Sequence, residues 1–171
     1  MTAFDRRKFI WAGLLAVLPR LASSQKASQP ASSQTPRPNF SGRWRMVRDR
    51  SEFHGFPMPD LVVRVVDHHD PILNLHTVQT ASGKTSMADV SYMTDGSSAT
   101  NTIRGRDAQS KAFWDGRDLV IRTTMKTAKG DNEVIEDRWQ LSADGATLTT
   151  ISHVETDRGG ADLKLVCVKD K

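Results

Sequence analysis

Apolar and polar residues alternate along much of the chain after residue 38, within short segments bounded by turn residues. Leu119, Ile121 and Met125 illustrate the pattern, because Arg122 and Thr124 lie between them. Successive side chains of an extended strand point to opposite faces, so this alternation gives one apolar and one polar face. No window after residue 24 has the 3.6-residue period of an amphipathic helix. The pattern therefore predicts a domain built from β-strands.

Turn signals divide this domain at intervals of about 10 to 15 residues. Three are Asp-Gly dipeptides, beginning at Asp95, Asp115 and Asp144, which suit the positive φ angles of tight hairpins. Because an open twisted sheet leaves two edges unprotected, we predict an all-β, antiparallel up-and-down barrel of about ten strands, with a β-sandwich as the alternative. The predicted strands are residues 40–47, 61–66, 72–78, 87–93, 99–104, 110–114, 119–127, 134–141, 147–154 and 163–168.

Residues 1–24 have the three parts of a cleavable export signal. A basic stretch at residues 6–8 precedes an apolar run at residues 9–18, and the small residues Ala22 and Ser24 suit cleavage after Ser24. The apolar run is about half as long as a membrane-spanning helix, so we predict no permanent membrane span. The paired arginines before Phe and Ile resemble the bacterial twin-arginine translocation motif, with the general secretory route as the alternative. The expected location is periplasmic or secreted.

Composition divides the remainder into a polar linker, residues 25–38, and one domain, residues 39–171. The linker is rich in Ser, Gln and Pro and lacks the apolar residues needed for a core, which is typical of a flexible tether. The leader holds four of the 24 basic and one of the 20 acidic residues, so 20 and 19 remain afterwards. This near-neutral balance, without a basic stripe, argues against a nucleic-acid partner.

The single cysteine, Cys167, excludes an intramolecular disulfide. It lies between Leu165, Val166 and Val168 in a predicted strand, which favours a buried, unreactive thiol. Nothing in the pattern defines an oligomeric state.

The first predicted strand contains Gly42 and Trp44 in a Gly-x-Trp arrangement, which resembles the signature of lipocalins and related calycin barrels. The resemblance implies that Trp44 closes one end of the barrel beneath a basic side chain from a late strand, here Lys164 or Arg158. The chain is more closely similar to exported bacterial proteins known only as lipocalin-like, which have no established activity. The segments that carry this resemblance are residues 40–44, 51–53, 114–121 and 137–148.

Two departures separate this chain from fatty-acid-binding calycins. About a dozen residues, 49–60, occupy the place of their helical lid, and the last strand, 162–170, lacks their Arg-x-Tyr carboxylate clamp. A fatty-acid carrier of that type is therefore not expected. The resemblance instead implies an exported non-enzymatic barrel that binds a small amphipathic or apolar molecule. The alternatives are an envelope interaction protein with a filled barrel, and an enzyme of unrecognised type.

The sequence contains no motif that predicts a catalytic residue, a cofactor or a metal. His68, His69 and Asp70 form its densest group of potential metal ligands. The two histidines are adjacent, so in a strand they point to opposite faces and cannot easily share one ion. Because Pro71 follows directly, we interpret the group as a solvated turn at a hairpin tip.

Alternation also predicts which polar residues would line the interior of a barrel. The ligand-binding candidates share the inward face of their strands, and the mouth of the barrel is expected opposite Trp44. A buried Asp137 would need a partner, for which Arg122 or Arg104 is the expected choice. The predicted lining residues are Tyr92, Thr123, Met125, Asp137 and Trp139.

Overall fold

The computed structural model describes residues 36–170, almost all of which lie in antiparallel β-strands or in short turns. A single 3-10 turn, Arg48–Arg50, is the one helical element among the described residues. The strands are β1 (Gly42–Met46), β2 (Glu52–Phe53), β3 (Leu61–His69), β4 (Ile72–Ala81), β5 (Lys84–Met93), β6 (Ser98–Ile103), β7 (Arg106–Asp115), β8 (Asp118–Lys126), β9 (Asn132–Leu141), β10 (Thr147–Thr156) and β11 (Gly159–Lys169).

The strands follow an up-and-down order, and β1 joins the two halves by pairing with β3 on one side and β11 on the other. The hydrogen-bonded order is β5-β4-β3-β1-β11-β10-β9-β8-β7-β6. The two-residue strand β2 continues along β11 after the 3-10 turn, with Phe53 opposite Leu163. The result is a nearly closed barrel of ten strands, which confirms the predicted fold class and excludes the sandwich.

The two ends of the barrel differ in what covers them. At one end, residues 36–41 lie beside the turns 70–71, 94–97, 116–117 and 142–146; we call this the closed end. The other end has the turns 82–83, 104–105, 127–131 and 157–158 and the connection 54–60; we call this the open end.

Side chains fill the interior most completely at the closed end. Phe40, Trp44 and Leu119 have no exposed surface, and Trp139 is 1% exposed. Phe40 packs edge-on against Trp139, with their ring centroids 5.6 Å apart. Such aromatic contacts stabilise the fold beyond the burial of apolar area alone. Cys167 is buried in this core, as the sequence predicts.

The barrel wall has one seam, between β5 and β6, which are adjacent but share no backbone ladder in the described sheet. The side chain of Asn101 bridges this seam. Its amide oxygen accepts a hydrogen bond from the backbone nitrogen of Ser91 at 2.8 Å, and its amide nitrogen donates to the Ser91 carbonyl at 3.0 Å. One side-chain amide thus takes the place of a peptide group and satisfies two backbone groups that the missing ladder leaves open.

The predicted export signal, residues 1–24, and most of the predicted linker lie outside the described residues. Within residues 36–170, the structure contains no helix long and apolar enough to cross a membrane. The last linker residues contact the barrel: Pro38 is buried, and the Arg37 guanidinium lies 3.4 Å from Asp70 and 5.3 Å from the Trp114 ring centroid.

We predict that the Asn101→Ala variant is destabilised by about 1–3 kcal/mol, because it leaves the N–H and carbonyl groups of Ser91 without partners. Chemical denaturation measures the loss, and hydrogen exchange should accelerate at the Ser91 amide. Thr102→Ala is the matched control, since Thr102 is an exposed residue of the same strand. Equal effects of the two substitutions would contradict the role assigned to the Asn101 amide.

Candidate functional site

Trp44 lies at the closed end, where two separate contacts hold its indole. Its ring nitrogen donates a hydrogen bond to the Phe40 carbonyl at 2.9 Å. The Lys169 ammonium lies 5.4 Å from the centroid of the ring. The expected basic partner was therefore wrong: Lys164 pairs with Glu52 and Arg158 pairs with Asp131, so both are engaged elsewhere. Lys169 covers Trp44 because it stands directly opposite it on β11.

Gly42 permits this arrangement because the Lys169 side chain passes directly over it. A Cβ atom at position 42 would lie 2.7 Å from the Cε atom of Lys169, which is closer than nonbonded carbon atoms approach. The φ angle of Gly42 is +143°, a conformation that other L-residues rarely adopt. In the Gly-x-Trp arrangement, Trp44 thus supplies the ring, and Gly42 leaves the space through which Lys169 reaches it.

His68 is 3% exposed, so its interpretation as part of a solvated turn was wrong. Its ring stacks on Phe40 and Trp114, with centroids 5.7 and 5.9 Å away. The Phe40 backbone nitrogen donates to Nδ1 at 3.3 Å, which makes Nε2 the protonated atom, and Nε2 lies 2.9 Å from an Asp70 oxygen. His68 shares the inward face of β3 with Val66 and therefore lies in the core. The adjacent His69 points to the other face and is exposed.

No group of three or more His, Cys, Asp or Glu side chains in the described chain is arranged to hold a metal ion. The Asp70 carboxylate instead accepts a hydrogen bond from the Thr94 hydroxyl at 2.6 Å as well as contacting His68. Burial acts to raise the pKa of Asp70, but the hydrogen bonds from Thr94 and His68 outweigh it, so the pKa is lowered. These contacts join the turn between β3 and β4 to the turn between β5 and β6 at the closed end.

The five predicted lining residues all belong to the inward faces of their strands. Residues directly opposite each other in neighbouring strands point to the same face of the sheet, and Thr123 is opposite both Ser110 and Ile135. The hydroxyl oxygens of Ser110 and Thr123 lie 2.9 Å apart on this face. Asp137 is half-buried. The other four, Tyr92, Thr123, Met125 and Trp139, are at most 7% exposed. Their role in binding a ligand stays a prediction.

A polar cluster lies in the middle of the barrel around Arg64, a residue that the sequence prediction missed. Its Nη1 atom donates to the Thr150 hydroxyl at 2.9 Å, and its guanidinium lies 5.4 Å from the Trp139 ring centroid. A signal was available: Val62, Arg64 and Val66 alternate on one face of β3, so the arginine shares the face of two buried valines.

Asp137 belongs to the same cluster, where it accepts a hydrogen bond from the Ser152 hydroxyl. The expected partners Arg122 and Arg104 were wrong, because both are exposed. Burial raises the pKa of Asp137, although the Ser152 hydrogen bond and the positive charge of Arg64 partly offset this. Burial and the nearby Asp137 charge also raise the pKa of the Tyr92 hydroxyl. The interior therefore favours the neutral forms of both acids.

On β9, β10 and β11, the inward side chains are more exposed one row farther from the closed end. Across β9, β10 and β11, the row formed by Trp139, Thr150 and Leu165 is 1%, 1% and 7% exposed. The next row, formed by Asp137, Ser152 and Leu163, also points inward but is half-buried. Inward side chains that keep accessible surface indicate interior space above a packed floor.

The outer wall carries a separate shallow pocket of about 380 Å³ across β3, β4 and β5. Most of its lining side chains point away from the barrel interior, and it ends at Asn101 beside the seam. Its rim includes a close pair, with His76 Nδ1 2.6 Å from an Asp89 oxygen. This pocket is distinct from the interior cluster, because the wall of the sheet separates them.

The sequence matches no family model and no curated protein. Solved structures are similar in fold. A secretory abundant heat soluble (SAHS) protein from Ramazzottius varieornatus aligns with a TM-score of 0.55 and 16% identity over 80% of this chain and 98% of its own. These likenesses support a calycin-type β-barrel fold.

Two further solved structures share this fold with the described barrel. Lipid binding protein 8 from Caenorhabditis elegans aligns with a TM-score of 0.55 and 12% identity, over 77% of this chain and 95% of its own. The zebrafish ileal bile acid-binding protein, complexed with cholic acid, aligns with a TM-score of 0.52 and 15% identity, over 77% and 98%. At such identities the likeness extends to the fold and to no particular residue.

We predict that Gly42→Ala destabilises the domain by about 1–3 kcal/mol, because an L-residue is strained at this φ angle and the new Cβ displaces Lys169. The near-ultraviolet circular dichroism of Trp44 should change as the lysine moves. Gly116→Ala is the control: it also has a positive φ, but its Cβ would have no neighbour within 4 Å. An unchanged tryptophan spectrum in Gly42→Ala would contradict the proposed crossing of Lys169.

A second prediction concerns Asp137, whose pKa is raised on folding. The folded state then binds more protons than the unfolded state above about pH 4, so stability falls as pH rises through the folded pKa. The Asp137→Asn variant should therefore be more stable than the parent at pH 7, and this difference should vanish near pH 4. Thermal melts across this range test the effect, with the exposed Asp107→Asn as control. A gain that is independent of pH would contradict the linkage.

Proposed function

We propose that this chain is an exported, non-enzymatic barrel protein that holds a small amphipathic molecule inside the barrel. One observation carries the proposal: the inward-facing Asp137, Ser152 and Leu163 keep accessible surface, whereas the row of β9, β10 and β11 that is nearer to the closed end is packed. Ligand sites in proteins are commonly concave, mostly apolar and equipped with a few polar groups. The interior around Arg64 and Asp137 has this composition.

The direction of entry follows from the two ends. At the closed end Phe40, Trp44 and His68 form a packed floor, so a ligand would enter from the open end. An apolar portion of the ligand would contact the walls formed by residues such as Ile135 and Leu163. Its polar group would reach the cluster of Arg64 and Asp137 at mid-depth. Amphipathic molecules fit this division better than sugars or simple ions.

Export is the second part of the proposal and rests on residues 1–24 of the sequence. A periplasmic or secreted location, reached by the twin-arginine route, would deliver the barrel already folded. Replacing both Arg6 and Arg7 by Lys should then retain the precursor in the cytoplasm. Normal export of that variant would favour the general secretory route instead.

The binding proposal predicts that the neutral fluorophore N-phenyl-1-naphthylamine binds the purified domain with an increase in its fluorescence. Ile135→Trp should weaken this binding by about tenfold or more, because a larger side chain overfills the inward face. Glu136→Trp is the matched control, since the adjacent residue is exposed on the outer face of the same strand.

Circular dichroism would confirm that both variants are folded. Failure of the parent domain to bind the fluorophore would remove the carrier proposal. Equal weakening by the two tryptophan substitutions would move the binding to another surface. The remaining candidate would then be an interaction protein whose filled barrel presents only its outer face.

A further inference from the structure

We propose that the free edge of β5 binds an extended segment of a partner protein, in which a basic residue stands beside Met87 and Asp89. The partner segment would add one strand to the sheet at the seam between β5 and β6. The site lies on the outer wall, so it goes beyond the ligand proposed for the interior and does not depend on it. The chemistry of the partner follows from the backbone groups and side chains that β5 presents there.

Backbone groups along β5 point into the seam and have no ladder partner. The N–H and carbonyl groups of Ser91 face β6, since both bond to the Asn101 side chain. Residues two apart in a strand present their backbone groups to the same side, so those of Asp89, Met87 and Thr85 face the seam as well. β5 pairs only with β4, and no hydrogen bond joins these three residues' seam-facing groups to another described residue. Such a row of unpaired groups is a template for another strand.

The neighbouring strand β6 is too short to cover this edge. It runs antiparallel to β5 and ends at Ile103, two residues beyond the Asn101 bridge. It therefore reaches about the level of Asp89, and residues 84–88 extend past it towards the open end. Residues 84–87 are exposed, and Ala88 is half-buried. β5, which the structure describes over its whole length, contains neither the proline nor the bulge that commonly protects a strand edge.

The outer face of β5 offers an apolar contact at the same place. Met87 is 70% exposed, more than any other large apolar side chain among the described residues. It stands at the end of a cross-strand row with Val78 of β4 and Val63 of β3. Val63 is buried and Val78 is half-buried, so the row loses its cover towards the seam. A side chain opposite Met87 on an added strand would point to the same face and extend this row.

Negative charge beside Met87 determines the chemistry of that added side chain. The shallow pocket of the outer wall includes Asp89, two residues along β5 from Met87, and also Asp67 of β3. The side chains of Asp89 and Asp67 are 80% and 63% exposed. A histidine contacts each carboxylate, but none of the described residues that line the pocket is a Lys or Arg. Because histidine is not a permanent cation, the pocket keeps a negative field that favours a cation.

A lysine or arginine opposite Met87 would satisfy both features. The methylene groups of such a side chain can cover an apolar surface while its charged end stays in water. Diagonal neighbours on paired strands are within reach of long side chains, so the charged end can approach Asp89. The flanking residues of the added strand would stand opposite Ser86 and Ala88 on the inner face, where small side chains fit. The expected partner is thus an extended segment with one basic residue between small uncharged residues.

A second copy of this chain fits the edge less well. The one cation of β5, Lys84, belongs to the inner face with Ser86. Two paired copies of β5 would bring two Asp89 carboxylates to the outer face without a compensating charge. The edge therefore favours a partner of different sequence. None of the side chains on the outer face of β5 is a cation; they are Thr85, Met87, Asp89, Ser91 and Met93.

A short synthetic peptide tests the proposal, with one central arginine flanked by alanine and threonine and with both ends capped. Added to the purified full chain, it should shift the NMR amide resonances of residues 85–89 and slow hydrogen exchange at the Met87 amide. The same peptide with glutamate in place of arginine should bind about fivefold more weakly or worse, because repulsion by Asp89 replaces attraction. A version with N-methylated backbone amides should not bind, because it cannot donate to the β5 carbonyls.

Variants of the chain locate the binding on β5. The Met87 nitrogen points away from β4, so Met87→Pro removes a free donor without breaking the β4 ladder, and it should weaken binding of the arginine peptide by about tenfold or more. Met87→Ala keeps the donor and should weaken binding by less than about threefold. Asp89→Asn should weaken the arginine peptide by about two- to fivefold and strengthen the glutamate peptide. Ile151→Ala is the control, since Ile151 is an exposed apolar residue of β10, a strand paired on both sides.

Each outcome supports or overturns the proposal. Failure of the arginine peptide to bind the parent chain would overturn it, as would equal binding of the arginine and glutamate peptides. Equal losses in folded Met87→Pro and Ile151→Ala variants would move the binding away from the β5 edge. If Met87→Pro fails to fold, undiminished binding of the N-methylated peptide would still exclude strand addition.

Two further measurements separate this site from a dimer interface and from the barrel interior. Dimers of the parent chain in sedimentation velocity that Met87→Pro removes would assign the edge to a second copy, and the partner proposed here would be wrong. Binding of N-phenyl-1-naphthylamine should be the same in Met87→Pro and the parent, because the wall of the sheet separates the two sites. Competition between the fluorophore and the arginine peptide would contradict that separation.

Discussion

The architecture depends on the pairing of β1 with both β3 and β11. This short strand converts an open meander into a nearly closed barrel, because it supplies hydrogen-bond partners to two strands that are far apart in sequence. The same strand carries Gly42 and Trp44, so closure of the wall and closure of one end are coupled. Lys169 links them, since it pairs with Trp44 in the ladder and covers its ring.

A packed floor has consequences for the rest of the interior. Phe40, His68 and Trp114 stack above Trp139 at the closed end, and these rings leave no accessible surface on Phe40. One row further along the strands, the inward positions carry Asp137 and Ser152 in place of large apolar residues. Small or polar side chains at these positions fill less volume, which accounts for the accessible surface at mid-depth. The polarity of the interior and its incomplete filling thus have a common cause.

The polar cluster of Arg64 and Asp137 contributes little to the stability of the fold, but its polar groups are of the kind that bind ligands. Arg64 and Asp137 both point into the barrel interior, and they are not joined as an ion pair. Groups in this condition cost folding free energy, which the packed floor and the extensive ladders offset elsewhere. Their presence inside an otherwise apolar core is the feature of the structure that most favours a binding role.

The sequence by itself determined the fold class, the approximate positions of the ten strands that form the barrel and the faces of the five candidate lining residues. It could do so because period-two alternation and turn chemistry are local properties, readable from a few neighbouring residues. The same reasoning failed wherever a partner came from a distant strand. Lys169 rather than Lys164 covers Trp44, because the register between β1 and β11 decides which residue stands opposite the ring.

Tertiary structure alone decided the contents of the cluster and the state of His68. Arg64 and Asp137 are 73 positions apart in the sequence and meet only because the barrel closes. His68 is the penultimate residue of β3, next to a turn, a position that sequence reasoning assigns to solvent. Residues 36–41 nevertheless fold over it and bury it. Local pattern fixes which way a side chain points along its own strand. Which side chains share the enclosed space depends on registers and on chain ends that meet across the whole sheet.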